Sequence, residues 1–135
     1  MEALGQRDKI AFTAPTGVAA CNIQGMTIHS WSGVGVVNDF SPHGLEQAIY
    51  RVNKKAQKRW VATEILVIDE ISMLSAELLD LLSRVGQRIR RDDRPFGGLQ
   101  IILCGDFFQL PPIGTGFHHK YYSNILIVKY SVNCR

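Results

Sequence analysis

The chain has 135 residues, enough for one domain with a real core and too few for a motor built of two such domains. Charged residues make up 20% and hydrophobic ones 46%, which excludes a disordered chain, and no run is long and apolar enough to span a bilayer. The net charge of +3 is too mild to argue by itself for a nucleic-acid partner. Basic residues do cluster, at Lys54, Lys55, Lys58 and Arg59 and again at Arg84, Arg88, Arg90, Arg91 and Arg94. Each cluster fits a solvated helix face as well as an electropositive patch. Cys21, Cys104 and Cys134 lack metal-type spacing and support neither a disulfide framework nor a zinc site, so a reducing compartment is expected. Cys104 sits in an apolar run as a small core residue. No charged-then-apolar leader opens the chain; a signal upstream of Met1 would leave nucleus and mitochondrion both open.

In chain order, Lys9 to Thr13 reads as a strand, and Ala14-Pro15-Thr16-Gly17 as a turn whose proline keeps Ala14 extended. Val18 to Ile23 reads as a short helix closed by Gly25, and Thr27 caps a second one that runs through Ser32 and stops at Gly33 and Gly35. Asp39 to Gly44 is loop-like, with Pro42 and Gly44 as breakers. Leu45 to Ala62 reads as one helix with Leu45, Ala48, Ile49 and Val52 along one side. Ile65-Leu66-Val67-Ile68 suits a strand buried on both faces of a parallel sheet. Ser75 caps the next helix, with Leu78, Leu82, Val85 and Ile89 as its stripe, acids early and arginines late. A polar turn over Asp92 to Gly98 leads to a strand from Leu99 to Gly105, and Ile125 to Tyr130 has strand character. Strands alternating with helices predict a parallel sheet wrapped by helices.

Two carboxylates, Asp69 and Glu70, stand where the buried strand ends, the end at which open α/β sheets bind ligands. One acid of such a pair holds a magnesium ion while its neighbour polarises an attacking water. A second strand ends the same way at Gly105-Asp106-Phe107-Phe108-Gln109-Leu110-Pro111-Pro112. Together they read as a nucleoside-triphosphatase motor core. A phosphate loop, Gly-x-x-x-x-Gly-Lys-Ser/Thr, is missing, since the sequence contains no Gly-Lys dipeptide. The loop is expected upstream of Met1, which makes the chain an inner piece of a motor domain. Its sheet is expected to lack the phosphate-loop strand beside the Asp69 strand, leaving an unpaired edge and marginal stability.

Three blocks resemble the petite-integration-frequency (Pif) DNA helicases of superfamily one. They are Thr13 to Ala20 continuing to Met26–Gly35, then Val67 to Met73, then Arg94 to Gly98 leading to Gly105–Pro112. The resemblance implies an incomplete RecA-like P-loop domain over residues 1–113, with an atypical tail over 114–135. It implies an ATP-dependent 5′-to-3′ helicase acting on single-stranded DNA and DNA junctions in repair, recombination and telomere maintenance. Carried over residue by residue, Asp69 is the Mg2+-associated acid, Glu70 activates water, and Gln109 senses the γ-phosphate of ATP. Pro15, Thr16, Gly17, His29 and Ser30 fall in blocks that line the DNA path, where short polar groups and backbone amides contact phosphates without reading bases. His29 and Trp31 fit a packed core as well as DNA contact, whereas Phe107 and Phe108 fit packing.

The later motifs, with the arginine finger worth roughly 10³–10⁵ in rate, are also missing, so the isolated chain is expected to be inactive. Two other readings remain: a truncated module that holds single-stranded DNA without turnover, and a Helitron-type transposon helicase. Ile71-Ser72 and Phe108 favour the cellular branch over the transposon one.

Overall fold

The computed structural model describes residues 9–105 and the strand at 125–129. Five strands form one parallel sheet: β1 (Ile10–Ala14), β2 (Met26–Thr27), β3 (Ile65–Ile68), β4 (Gln100–Gly105) and β5 (Ile125–Lys129), in the order β2-β1-β3-β4-β5. Among the described residues five α-helices lie between the strands: α1 (Gly17–Asn22), α2 (Ile28–Ser32), α3 (Pro42–Tyr50), α4 (Lys54–Ala62) and α5 (Ala76–Arg90). The parallel α/β architecture expected from the alternation of patterns is the one observed.

Register places Ala11, Leu66 and Ile101 on one row and Thr13, Ile68 and Leu103 on another. These rows face the core, in which Trp31, Trp60, Leu78, Leu82, Val85 and Phe96 pack against Leu66, Ile68, Ile101 and Leu103. The stripe foreseen on α5 is buried or partly buried throughout, as is the one spanning Leu45 to Val52.

Direction of travel explains the distribution of helices. The chain moves one way from β1 to β2, then reverses and steps through β3 to β4. Right-handed crossovers therefore put α1 on one face of the sheet and α2 to α5 on the other. Among the described residues only the six-residue α1 lies on the first face. Phe12 is 45% exposed there, and Ile65, Val67, Ile102 and Cys104 are half-buried. The expectation of a β3 strand buried on both faces is thus corrected: four apolar residues in a row do not say how many faces are covered. The expected unpaired edge beside β3 is corrected too, because β3 lies between β1 and β4, and β5 covers the far side of β4.

Local boundaries differ where caps decide them. The stretch Leu45–Ala62 is two helices, not one. Ser41 caps α3, with Pro42 in its first turn, where a missing N–H does no harm. Asn53 accepts from the Ala56 amide at 2.9 Å and starts α4 anew. Pro42 therefore opens a helix instead of breaking one. At the end of α1 the left-handed residue is Gln24, not Gly25; the Gln24 and Gly25 amides donate back to Cys21 and Ala20 in a Schellman closure. Thr27 and Gly33 cap α2 as the sequence predicts, Gly33 with φ +80°.

Candidate nucleotide and DNA site

The reversal of strand order lies between β1 and β3, and the connections after these two strands leave on opposite faces. That opens a crevice at their carboxyl ends, the place where sheets of this kind receive ligands. Ala14-Pro15-Thr16 forms one lip and Asp69-Glu70 the other.

The lips are tied together. Thr13 is buried, and its hydroxyl donates to the Val67 carbonyl at 2.8 Å. The Asp69 amide donates to the Thr13 carbonyl at 2.9 Å. The carboxyl Oδ1 of Asp69 then accepts the Glu70 amide at 2.9 Å, which turns the chain sharply out of the strand. Glu70 takes φ +50° and ψ +45°, a left-handed conformation that disfavours any residue with a Cβ. It leads a single 3-10 turn, Ile71–Met73, closed by the Met73 amide on the Glu70 carbonyl. Both acids are half-buried.

The end of β4 presses on this turn. A Cβ at Gly105 would lie 3.0 Å from Ile71 Cγ2 and 3.3 Å from the Ile71 amide nitrogen, so a larger residue there would push on the turn by a few tenths of an ångström. Burial, with the negative charge of Asp69 as the second cause, pushes the Cys104 thiol above its ordinary value. Cys104 is half-buried on the open face rather than fully in the core. Gln109, with Asp106, Phe107 and Phe108, lies outside the described residues.

A cavity of about 350 Å³ brings together three residues of the first block. Pro15, Thr16 and His29 line it with Val37, Phe40, Met73, Leu74, Ser75 and Leu78. Thr16 is also the N-cap of α1, its hydroxyl accepting the Ala19 amide at 3.2 Å. Gly17 and Ser30 flank the cavity residues in sequence and are exposed. A Cβ at Gly17 would meet nothing within 4 Å, so the fold itself does not require glycine there. Trp31 is 3% exposed and packs against Trp60 with ring centroids 4.7 Å apart and planes tilted by 54°, which settles it as core. Val37 and Phe40 were not legible as cavity residues, because the 33–41 stretch has no periodicity to orient them. Met73 ends the second block, and with Leu74 and Ser75 after it reaches the cavity because the 3-10 turn carries the chain there.

The basic clusters divide on inspection. Arg59, Arg88, Arg90 and Arg94 hold intramolecular acceptors, whereas Lys54, Lys55 and Lys58 are exposed. No group of three or more His, Cys, Asp or Glu residues able to hold a metal occurs among the described residues. A magnesium ion is nonetheless compatible with Asp69, since Mg2+ is held by one or two carboxylates together with substrate phosphates and waters. Among the described residues no helix is long and apolar enough to cross a membrane.

Comparison with known proteins gives a consistent result. The family model described as PIF1-like helicase matches residues 1–131. The chain is 46% identical over 113 residues to the ATP-dependent DNA helicase PIF1 of Emericella nidulans, covering 84% of this chain and 15% of that protein. It is 49% identical over 110 residues to the Saccharomyces cerevisiae PIF1, covering 79% and 12%. It therefore spans a small part of the length of these relatives. Among solved structures, the Pif1 helicase from Candida albicans superposes with a TM-score of 0.75 at 38% identity, covering 96% of this chain and 32% of that one. Bacteroides Pif1 bound to ssDNA superposes with a TM-score of 0.56 at 35% identity, covering 78% and 24%. The sheet with Asp69 and Glu70 at its central strand end is a RecA-like helicase fold, and the chain belongs to the PIF1-like helicase family.

Proposed function

We propose that this chain forms the part of an ATP-dependent DNA helicase in which the hydrolytic acids and the single-strand path meet. The observation that carries this reading is the shared turn: the residues just after Glu70 wall the cavity that holds Thr16 and His29. A strand lying along Pro15, Thr16, Gly17, His29 and Ser30 would touch the same segment that fixes the backbone of Glu70.

Glu70 accepts a proton from the attacking water, and its left-handed backbone sets the direction of the carboxylate. Asp69 would hold Mg2+, which when bound neutralises developing charge on the phosphates of ATP. Asp69 also accepts the Glu70 amide, which ties the orientation of its carboxyl to the Glu70 backbone. Gln109, four residues past Gly105, takes the γ-phosphate sensor role. The likeness to the family supports movement 5′ to 3′ and work at DNA junctions in repair, recombination and telomere maintenance as the parent's role.

Without Gly-Lys the chain has no phosphate loop of its own, so hydrolysis requires a full-length helicase carrying this segment. In that protein Glu70→Gln should abolish hydrolysis while ATP still binds, and Gln109→Ala should remove the DNA stimulation of ATPase activity. Near-normal turnover of the Glu70 variant would sink the assigned role. The missing loop also favours a second reading, in which the chain alone holds single-stranded DNA without turnover. DNA binding that ATP leaves unchanged would support that reading for the isolated chain.

A further inference from the structure

Helix α2 carries His29 and Ser30 and is only five residues long, so its final carbonyls need partners from elsewhere. The His29 carbonyl takes the Gly33 amide at 3.2 Å and the Ser32 hydroxyl at 3.3 Å. The next three are all held by α4, some 28 residues further on. Arg59 Nη2 donates to the Ser30 carbonyl at 2.9 Å, and Arg59 Nε to the Trp31 carbonyl at 3.0 Å. Trp60 Nε1 donates to the Ser32 carbonyl at 3.0 Å.

A guanidinium fork suits this task better than any other side chain. Its N–H groups are fixed in one plane, and its charge meets the negative end of the helix. Two consecutive carbonyls gripped by one fork fix both the position and the rotation of α2. The tilted Trp31–Trp60 contact holds the same pair of elements from the core side.

We propose that Arg59 is a positioning residue for single-stranded DNA: it acts through the backbone of α2, holding His29 and Ser30 toward the strand, and makes no phosphate contact of its own. This rests on the reading of these residues as the DNA path. It also divides the first basic cluster, leaving Lys54, Lys55 and Lys58 as its solvent-facing part.

The test is fluorescence anisotropy of a labelled 20-nucleotide oligothymidylate titrated with the 135-residue chain over a range of salt concentrations. Variants Arg59→Gln, Arg59→Lys and Arg90→Gln are compared, with far-UV circular dichroism to confirm folding. Arg90 is a fair control because it also holds carbonyls, those of Trp60, Thr63 and Gly97, but none on α2. Arg59→Gln should weaken binding roughly tenfold, with an unchanged slope of log affinity against log salt. Arg59→Lys should recover part of the loss, and Arg90→Gln should bind like the parent. Unchanged affinity in Arg59→Gln overturns the proposal. So does a salt slope smaller by about one, the mark of a lost phosphate contact. An equal loss in Arg90→Gln also overturns it, since the effect would then be general loosening. Should Arg59→Gln fail to fold, Arg59→Lys carries the comparison, and parent-like binding by it refutes the need for a fork. No binding by the parent chain would instead refute the DNA-path reading, and the positioning role with it.

Discussion

Replacing Glu70 by glycine should leave the fold more stable than replacing it by alanine, the reverse of the order at an ordinary backbone position. Glu70 sits at φ +50° with a Cβ, and left-handed backbone costs an L-residue about 1–2 kcal/mol. Glycine removes that strain but adds about 0.4–1 kcal/mol of unfolded-state entropy. The side chain's own interactions confuse a direct comparison with glutamate, so the informative pair is Glu70→Gly against Glu70→Ala. Both lack the carboxylate, and only alanine retains the strain. The difference should favour glycine by about 0.5–1 kcal/mol, which for a domain of this size raises the melting temperature by about 2–4 °C. Thermal melts followed by circular dichroism measure it. If the alanine variant melts at or above the glycine variant, the turn after β3 stores no strain. Both variants should be inert in a full-length helicase carrying this segment.

Gly17→Ala should leave stability equal or slightly higher, because its Cβ meets nothing within 4 Å and alanine is the better helix former. Its affinity for single-stranded DNA should fall, and an unchanged affinity in an anisotropy titration would remove Gly17 from the strand path. Trp60→Phe should destabilise by about 2–4 kcal/mol in urea melts, because it strands the buried Ser32 carbonyl and leaves a gap beside Trp31. A loss well under 1 kcal/mol would mean that water replaces the indole without penalty. Hydrogen bonds from Arg94 hold the Asp92 carboxyl down from 3.8 to about 2. A depressed carboxylate adds stability that is fully present above pH 3.8 and lost as pH falls toward 2. The stability difference between the parent and Asp92→Asn should therefore be constant above about pH 4 and vanish near pH 2; a difference independent of pH would contradict the pairing.

Strands β1, β3 and β4 and helix α5 were legible because their signals are local: an apolar run, or a stripe with a serine before it. The caps Thr27, Gly33 and Ser75 were legible for the same reason. What escaped depends on partners far along the chain. Met26–Thr27 is a strand only because it pairs with Thr13 and Ala14. The left-handed backbones of Gln24, Glu70, Arg91 and Phe96 carry no glycine to announce them. The arginines of the two basic clusters looked alike, and only the carbonyls and acids they meet tell them apart. Asp69 and Glu70 were found from the strand before them, whereas Val37 and Phe40 came to the cavity through a loop without pattern.

Every pairing in this sheet is parallel, and its central pair joins strands about 50 residues apart in the chain. During synthesis at about 5–20 residues per second, β1 therefore waits roughly 3–10 seconds for β3 to be made. No hairpin shelters it in the meantime, and its first possible neighbour, β2, is two residues long. Ile10, Ala11 and Phe12 leave the ribosome as an apolar strand well before β3, the strand they pair with, has been made. Non-local parallel sheets of this kind fold slowly and are exposed to aggregation while they do so. Synonymous codons that slow translation between residues 14 and 65 would lengthen that interval, and the yield of folded protein should fall with them.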